Sequence, residues 1–291
     1  MRHGRPVGHP VMRGVRGVAL TLCCVIVLFP FLAILTTSLA TQDDVNSAGG
    51  LVVLPKSISL AAYRAIFAGG VVSRALLISL FVTIVGTVLS LLVTTLLAYA
   101  LSSPIMIGRG VILVLVLLSL LFSPGLIPSY LMVKSVGLID SVWSLIIPTA
   151  LSGFNVIVVR AFFMNLPQDV LDGARIDGAG EWVIFSKIVL PLSKAVLAVI
   201  GLFYAVGYWN AFFNALLYIN DSSKWPLQMV LRTYVVNNAQ IGSTDINVDA
   251  LPPQPALQMA ILVVSLVPIL IIYPFLQKYF AKGVLTGAVK G

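Results

Sequence analysis

Asn165-Leu-Pro-Gln-Asp-Val-Leu-Asp-Gly-Ala-Arg-Ile-Asp-Gly-Ala-Gly-Glu-Trp-Val-Ile-Phe-Ser-Lys-Ile-Val-Leu-Pro191 is the one stretch of this 291-residue chain in which acids and bases gather densely. Apolar runs bound it on both sides, at 141–163 and 192–218, and four more follow outward at 17–39, 73–101, 110–133 and 257–279. Each offers the ~20 residues that a helix needs to cross hydrocarbon. The composition agrees: 59% of the chain is hydrophobic and 10% is charged, against about 25% charged in a soluble domain. Six spans place both termini on one side. With the N-terminus inside, twelve of the eighteen basic residues fall on inner segments, which favours cytoplasmic termini. The first run outlasts the core of a secretory signal and contains Pro30, so it reads as a retained span.

Several function classes drop out. Both histidines, His3 and His9, lie at the extreme N-terminus, so histidine catalysis in a folded core is not expected. Cys23 and Cys24 are adjacent inside an apolar run and match no zinc spacing. The net charge of +8 belongs to inner loops, which argues against nucleic acid as a partner. No Gly-x-x-x-x-Gly-Lys-Ser/Thr stretch occurs to cradle ATP phosphates. The acids all fall in loops or at span ends, leaving little for ion coupling.

The quoted loop has its own pattern. Pro167 suits a first helical turn, and Asp169 and Asp172 suit the positive end of the dipole. Leu171, Ala174 and Gly178 recur on one face, two of the three too small to hold a second protein away, and Gly178 with Gly180 turns the chain. Trp182, Phe185 and Val189 form the next apolar stripe. On composition alone, a surface helix-turn-helix resting on lipid headgroups is the favoured reading. Of the longer loops, 40–72 contains a spacing at 60–67 that suits a short interfacial helix, and neither it nor 219–256 is expected to build a core of its own.

The loop resembles the coupling motif of binding-protein-dependent ATP-binding-cassette importer permeases: Glu-Ala-Ala, three residues, Gly, nine residues, Ile-x-Leu-Pro. Asp172, Gly173, Ala174, Gly178, Ile188, Leu190 and Pro191 occupy those places, with Asp for Glu and Gly for the first Ala. Asp177 precedes the motif glycine. The resemblance covers nearly the whole chain, from Pro30 to Gly291. It is to maltose-type carbohydrate permeases. Gly207-Tyr-Trp-Asn-Ala-Phe-Phe-Asn-Ala-Leu-Leu-Tyr-Ile-Asn-Asp221 is similar to the branch importing alginate and pectin-derived oligosaccharides. It implies an all-α integral membrane protein of the type I importer permease fold: one domain over 1–291, six spans and a cytoplasmic coupling loop at 164–191. It further implies a second homologous permease, two nucleotide-binding subunits that carry the ATP and Mg, and an external solute-binding protein. The chain itself binds no cofactor or metal and is not an enzyme. The implied substrate is an oligosaccharide, with a preference for acidic ones, moved across a bacterial cytoplasmic membrane by alternating access. A secondary sugar carrier and a non-transporting scaffold are the alternatives.

Neutral hydrogen-bonding side chains within the runs are the candidate substrate path: Tyr130, Asn155, Tyr204, Tyr208, Trp209, Asn210 and Asn214. Such groups are costly toward lipid and should face protein or water. Phe203, Gly207, Asn210 and Asn214 are spaced to share one helical face, and Asn210 leads the candidates. Helix–helix packing through Asn and Gly is the competing use of that face. Pro124, Pro128 and Pro148 mark hinges or static bends. The charge asymmetry predicts that a reporter fused after Gly291 lies in the cytoplasm while a tag near Asn237 is accessible from outside. Labelling of the C-terminal reporter from outside would reverse the topology.

Overall fold

The computed structural model describes residues 10–68, 70–237, 239 and 252–288. His3, His9, Gly291 and part of the 219–256 connection lie outside the described residues. Every element among the described residues is helical, and the chain divides into two compact units.

The first unit comprises residues 1–70 and 234–264. Its α1 (Pro10–Ser38) carries Arg13 and Arg16 in its first turns, is apolar from Gly17 to Leu35 apart from Thr21, contains Pro30, and is exposed over 14–32. A helix apolar on all sides suits lipid or another apolar partner. Among the described residues, its C-terminal end is the part tied down by hydrogen bonds. There Thr37 Oγ1 accepts the Val52 N–H at 2.9 Å, and Ser38 Oγ lies 2.7 Å from the Tyr63 hydroxyl. Two short helices follow, α2 (Gln42–Ala48) and α3 (Ala61–Phe67), the latter at the expected interfacial spacing. Asp44 braces the intervening loop by accepting the Lys56 N–H at 3.2 Å and the Thr41 hydroxyl at 2.9 Å.

The second unit, residues 71–233 with 265–291, is organised by α4 (Val71–Ser102). Arg109–Leu121 forms α5 and Leu126–Ser135 forms α6. Short 3-10 turns at Val142–Leu145 and Ile147–Thr149 lead at a 48° bend into α7 (Gly153–Met164). Then come α8 (Gln168–Ile176), α9 (Glu181–Leu192), α10 (Lys194–Trp209), α11 (Phe212–Tyr218) and α12 (Leu227–Val236). The long α13 (Gln254–Ala288) belongs to the first unit up to Val264 and to the second from Ser265, and it carries Pro268 and Pro274.

Three of the expected spans are interrupted. The run 110–133 breaks at Phe122–Gly125, where Pro124 removes a donor and Gly125 adopts φ +82. That leaves pieces of 13 and 10 residues, the longer spanning only ~20 Å at ~1.5 Å per residue. The run 141–163 bends after Pro148, and 192–218 breaks at Asn210. Three helices among the described residues are long and apolar enough to cross a membrane: Gly14–Ser38, Val71–Ser102 and Gln254–Pro274. Counting each bent pair as one span gives up to five.

A polar seam fastens α4 to its neighbours. Ser79 Oγ accepts the Leu227 N–H at 2.7 Å, Ser90 Oγ lies 2.8 Å from the Tyr208 hydroxyl, and Thr94 Oγ1 lies 2.7 Å from that of Tyr204. Tyr208 also donates to Ile146 O at 3.2 Å, and Tyr204 accepts the Ser152 N–H at 3.1 Å. Between these bonds the Tyr208 ring lies against Gly86, where an added Cβ would fall 2.8 Å from ring carbons. Gly86→Ala is therefore expected to lower stability by ~1–3 kcal/mol through overpacking. Gly207→Ala, whose Cβ meets nothing within 4 Å, should not. Unfolding midpoints of the detergent-purified protein separate the two; equal midpoints would mean that the Tyr208 ring yields freely.

Candidate functional site

α10 presents two faces. Tyr204 and Tyr208 point into the seam and are buried, whereas Phe203 and Gly207 are exposed. With α7 and α11 this helix encloses a cavity of ≈ 390 Å³, lined by Asn155, Phe203, Tyr204, Gly207, Tyr208 and Asn214, with Thr149, Ser152, Phe154 and Ala211 at its walls. No lining side chain carries a charge. Ser152 caps α7 by accepting the Asn155 N–H at 3.4 Å, which holds Asn155 at the helix start with its residue buried. Among the described residues, neither the Asn155 nor the Asn214 side-chain amide has a hydrogen-bond partner. Both are placed to bond a guest, and the exposed rings of Phe154 and Phe203 offer apolar faces beside them. This combination suits a polyhydroxylated ring, whose hydroxyls need donors and acceptors and whose C–H face packs on aromatics.

The structure sorts the sequence candidates. Asn155, Tyr204, Tyr208 and Asn214 come together at this cavity, although both tyrosine hydroxyls are already bonded in the seam. Asn210 does not join them. Its Nδ2 donates to Val206 O at 2.9 Å, closing the end of α10, and the helix breaks there before α11 begins. Of the expected common face of Phe203, Gly207, Asn210 and Asn214, three still line this cavity, and Asn210 alone is turned away at the break. Asn210 and Trp209 instead border a separate, almost wholly apolar cavity of ≈ 470 Å³ against Pro268 and Ile272. Trp209 is buried and donates from Nε1 to Ser265 O at 3.2 Å. Tyr130 stacks on Tyr218 at 6.4 Å, away from both cavities. Sequence reasoning missed Phe154 and Ser152, and the seam on α4, whose Ser79, Ser90 and Thr94 recur at helical spacing.

The loop at 164–191 forms the expected helix-turn-helix, turning at Gly178 with φ +81. Its faces differ from expectation. Leu171 is buried and Ala174 half-buried against the chain's own core of Phe163, Ile184, Phe185 and Val189, so that face turns inward. Among the motif positions, Ile188 and Leu190 also pack on this core, while Pro191 is exposed. The outward surface carries Val170, Ile176 and Trp182, with Asp172, Asp177 and Gly178 exposed beside them and Gly173 half-buried.

A charged clip closes the turn. Arg175 donates to Asp172 Oδ1 at 2.9 Å and to Glu181 Oε1 at 3.1 Å, while the Tyr99 hydroxyl at the end of α4 donates to Glu181 Oε2. The bond from Tyr99, with the Arg175 guanidinium beside it, holds the Glu181 carboxyl below the usual carboxylate range. A depressed carboxyl contributes its stability above its unfolded pKa of about 4.3 and loses it as pH falls through the lower folded value. The clip is therefore intact at neutral pH. A comparable cluster joins Asp140 to the 219–224 segment. Its carboxylate accepts the N–H groups of Asn220 and Asp221 at 3.1 and 3.0 Å and pairs with Lys224 at 3.0 Å.

Comparison with known proteins fits this arrangement. Residues 75–286 match the family described as the inner membrane component of binding-protein-dependent transport systems. The chain is 44% identical over 274 residues to the polygalacturonan/rhamnogalacturonan transport system permease protein YtcP of Bacillus subtilis (strain 168), covering 94% of this chain and 96% of that one. It is 46% identical over 267 residues to Protein LplC of the same organism, covering 91% and 90%. Among solved structures, a chain of a bacterial ABC transporter involved in the import of the acidic polysaccharide alginate matches with a TM-score of 0.86 at 29% identity, covering 96% of this chain and 100% of that one. With the motif, the helical architecture and these relatives in agreement, the chain belongs to the binding-protein-dependent transport system inner membrane components and is a multi-pass membrane permease of the ABC importer type.

Proposed function

We propose that this chain is the permease subunit of an ATP-driven importer that moves an oligosaccharide by alternating access. The observation that carries the reading is the continuity of α9 and α10. One polypeptide runs from the clipped turn at Gly178 through an 81° bend into the helix whose outer face lines the neutral cavity. A push on the turn thereby reaches Phe203 and Gly207 without an intermediary. ATP and Mg sit on two nucleotide-binding subunits, since the 291 residues contain no phosphate-cradling glycine loop. A second homologous permease completes the pathway, and an external binding protein delivers the sugar. The membrane is the bacterial cytoplasmic membrane, with both termini and the 164–191 turn inside, as the distribution of basic residues favours. The chain acts as a single permease domain.

The names of the relatives favour pectin- or alginate-derived substrates. The cavity adds a constraint. Without a charged lining, this chain reads hydroxyls and ring faces, and any carboxylate on the substrate must be met elsewhere. Gly178, Asp177 and the exposed Ile176 and Trp182 form the surface that meets the ATPase. Replacing Asn155 and Asn214 with Leu leaves substrate hydroxyls unpaired at roughly 1–3 kcal/mol. Uptake of binding-protein-delivered oligosaccharide into proteoliposomes should therefore fall about five- to a hundredfold. Co-purification of the ATPase reports whether the complex still assembles. Undiminished uptake by an assembled double variant would place the substrate path outside this cavity.

A further inference from the structure

Arg109 and Arg160 form a cationic pair that the transport reading does not use. The helices α5 and α7 run antiparallel in a register the packing fixes. Val116 O lies 3.0 Å from where a Cβ on Gly153 would stand, and Ile112 and Ile157 pack on one cluster with Leu101, Val116 and Val156. Continuing that register by one turn sets Arg109 beside Arg160. Arg160 Nε donates to Leu101 O at 3.0 Å, which anchors it at the C-terminal end of α4. Among the described residues neither arginine forms an ion pair. Two like charges side by side repel, and an anion from outside the chain relieves that repulsion.

The surroundings state which anion. The connection from α4 to α5 presents Ile105 and Ile107, 79% and 96% exposed, with Val111 at 67% just inside α5. No side chain caps the start of α5, so its first N–H groups add to the positive field. A soluble phosphate would satisfy the guanidiniums and leave these apolar side chains in water. A lipid satisfies both, because its phosphodiester is bonded by arginine while its acyl chains cover the isoleucines. We infer that Arg109 and Arg160, with the Ile105 and Ile107 tip, form a binding site for the headgroup of an acidic phospholipid. It lies at the end of the second unit from which α7 leads into the clipped turn.

The assembled transporter, reconstituted in nanodiscs of phosphatidylcholine with and without phosphatidylglycerol, tests this by counting lipids that stay bound in native mass spectrometry. The wild type is expected to retain phosphatidylglycerol in preference to phosphatidylcholine. Arg109→Gln, which removes no intramolecular hydrogen bond, should retain about fivefold less, as expected for one arginine near an anionic surface. Arg160→Gln should act in the same direction. Equal retention of the two lipids by the wild type overturns the site whether or not the variants assemble. So does displacement of phosphatidylglycerol by inorganic phosphate, which would make it a free-anion site. Loss of the ATPase from Arg109→Gln with lipid retention unchanged would instead make the pair a protein contact.

Discussion

Within hydrocarbon, helices gain no hydrophobic advantage from meeting one another, because lipid tails are as apolar as leucine. The arrangement of the second unit depends on what replaces that force: a buried seam of hydroxyls along α4. Ser79, Ser90 and Thr94 bond the start of α12 and the two tyrosines of α10. Gly86 and Gly201 remove the side chains that would keep α4 and α10 apart, leaving Tyr208 and Leu91 to fill the space. Each tyrosine hydroxyl reaches a third segment as well, Ile146 for Tyr208 and Ser152 for Tyr204. Three segments are thus registered by two phenols.

That registration sets the functional geometry. With Tyr204 and Tyr208 fixed inward, Phe203 and Gly207 turn outward and line the cavity with Asn155 and Asn214. The far end of α4 carries Tyr99, which bonds Glu181 in the clipped turn. One helix therefore contacts both the cavity-forming α10 and the turn that precedes it. The stretch Phe185–Val189 is wound as a π-helix just before the 81° bend. Such widened turns recur at functional sites, and this one lies between the turn and the cavity.

Much of this was legible in the residues. Hydropathy marked the runs 73–101 and 257–279, which the structure extends to Val71–Ser102 and Gln254–Ala288, and the charged loop indicated the helix-turn-helix with its Gly178 turn. Helical periodicity assumed unbroken helices, and there it failed. Asn210 uses its own amide to end α10, so its apparent face with Asn214 does not exist. Small residues such as Ala174 suggested a docking face, yet burial of neighbouring Leu171 shows the chain itself occupies it. Periodicity reports which side chains share a face and not which neighbour the face meets. The α4 seam was visible as Ser79, Ser90 and Thr94 at helical spacing, but hydroxyls in an apolar run carry little weight in a hydropathy reading.

The central claim is that the neutral cavity opens alternately to the two sides of the membrane as the turn at Gly178 moves. In a background with the exposed Cys23 and Cys24 changed to serine, Asn214→Cys can be probed in the assembled transporter with a membrane-impermeant thiol reagent from either side. The account predicts that labelling from one side dominates in the resting complex and falls when ATP hydrolysis is arrested, with access from the other side rising. Labelling that is the same from each side whatever the nucleotide state would contradict it.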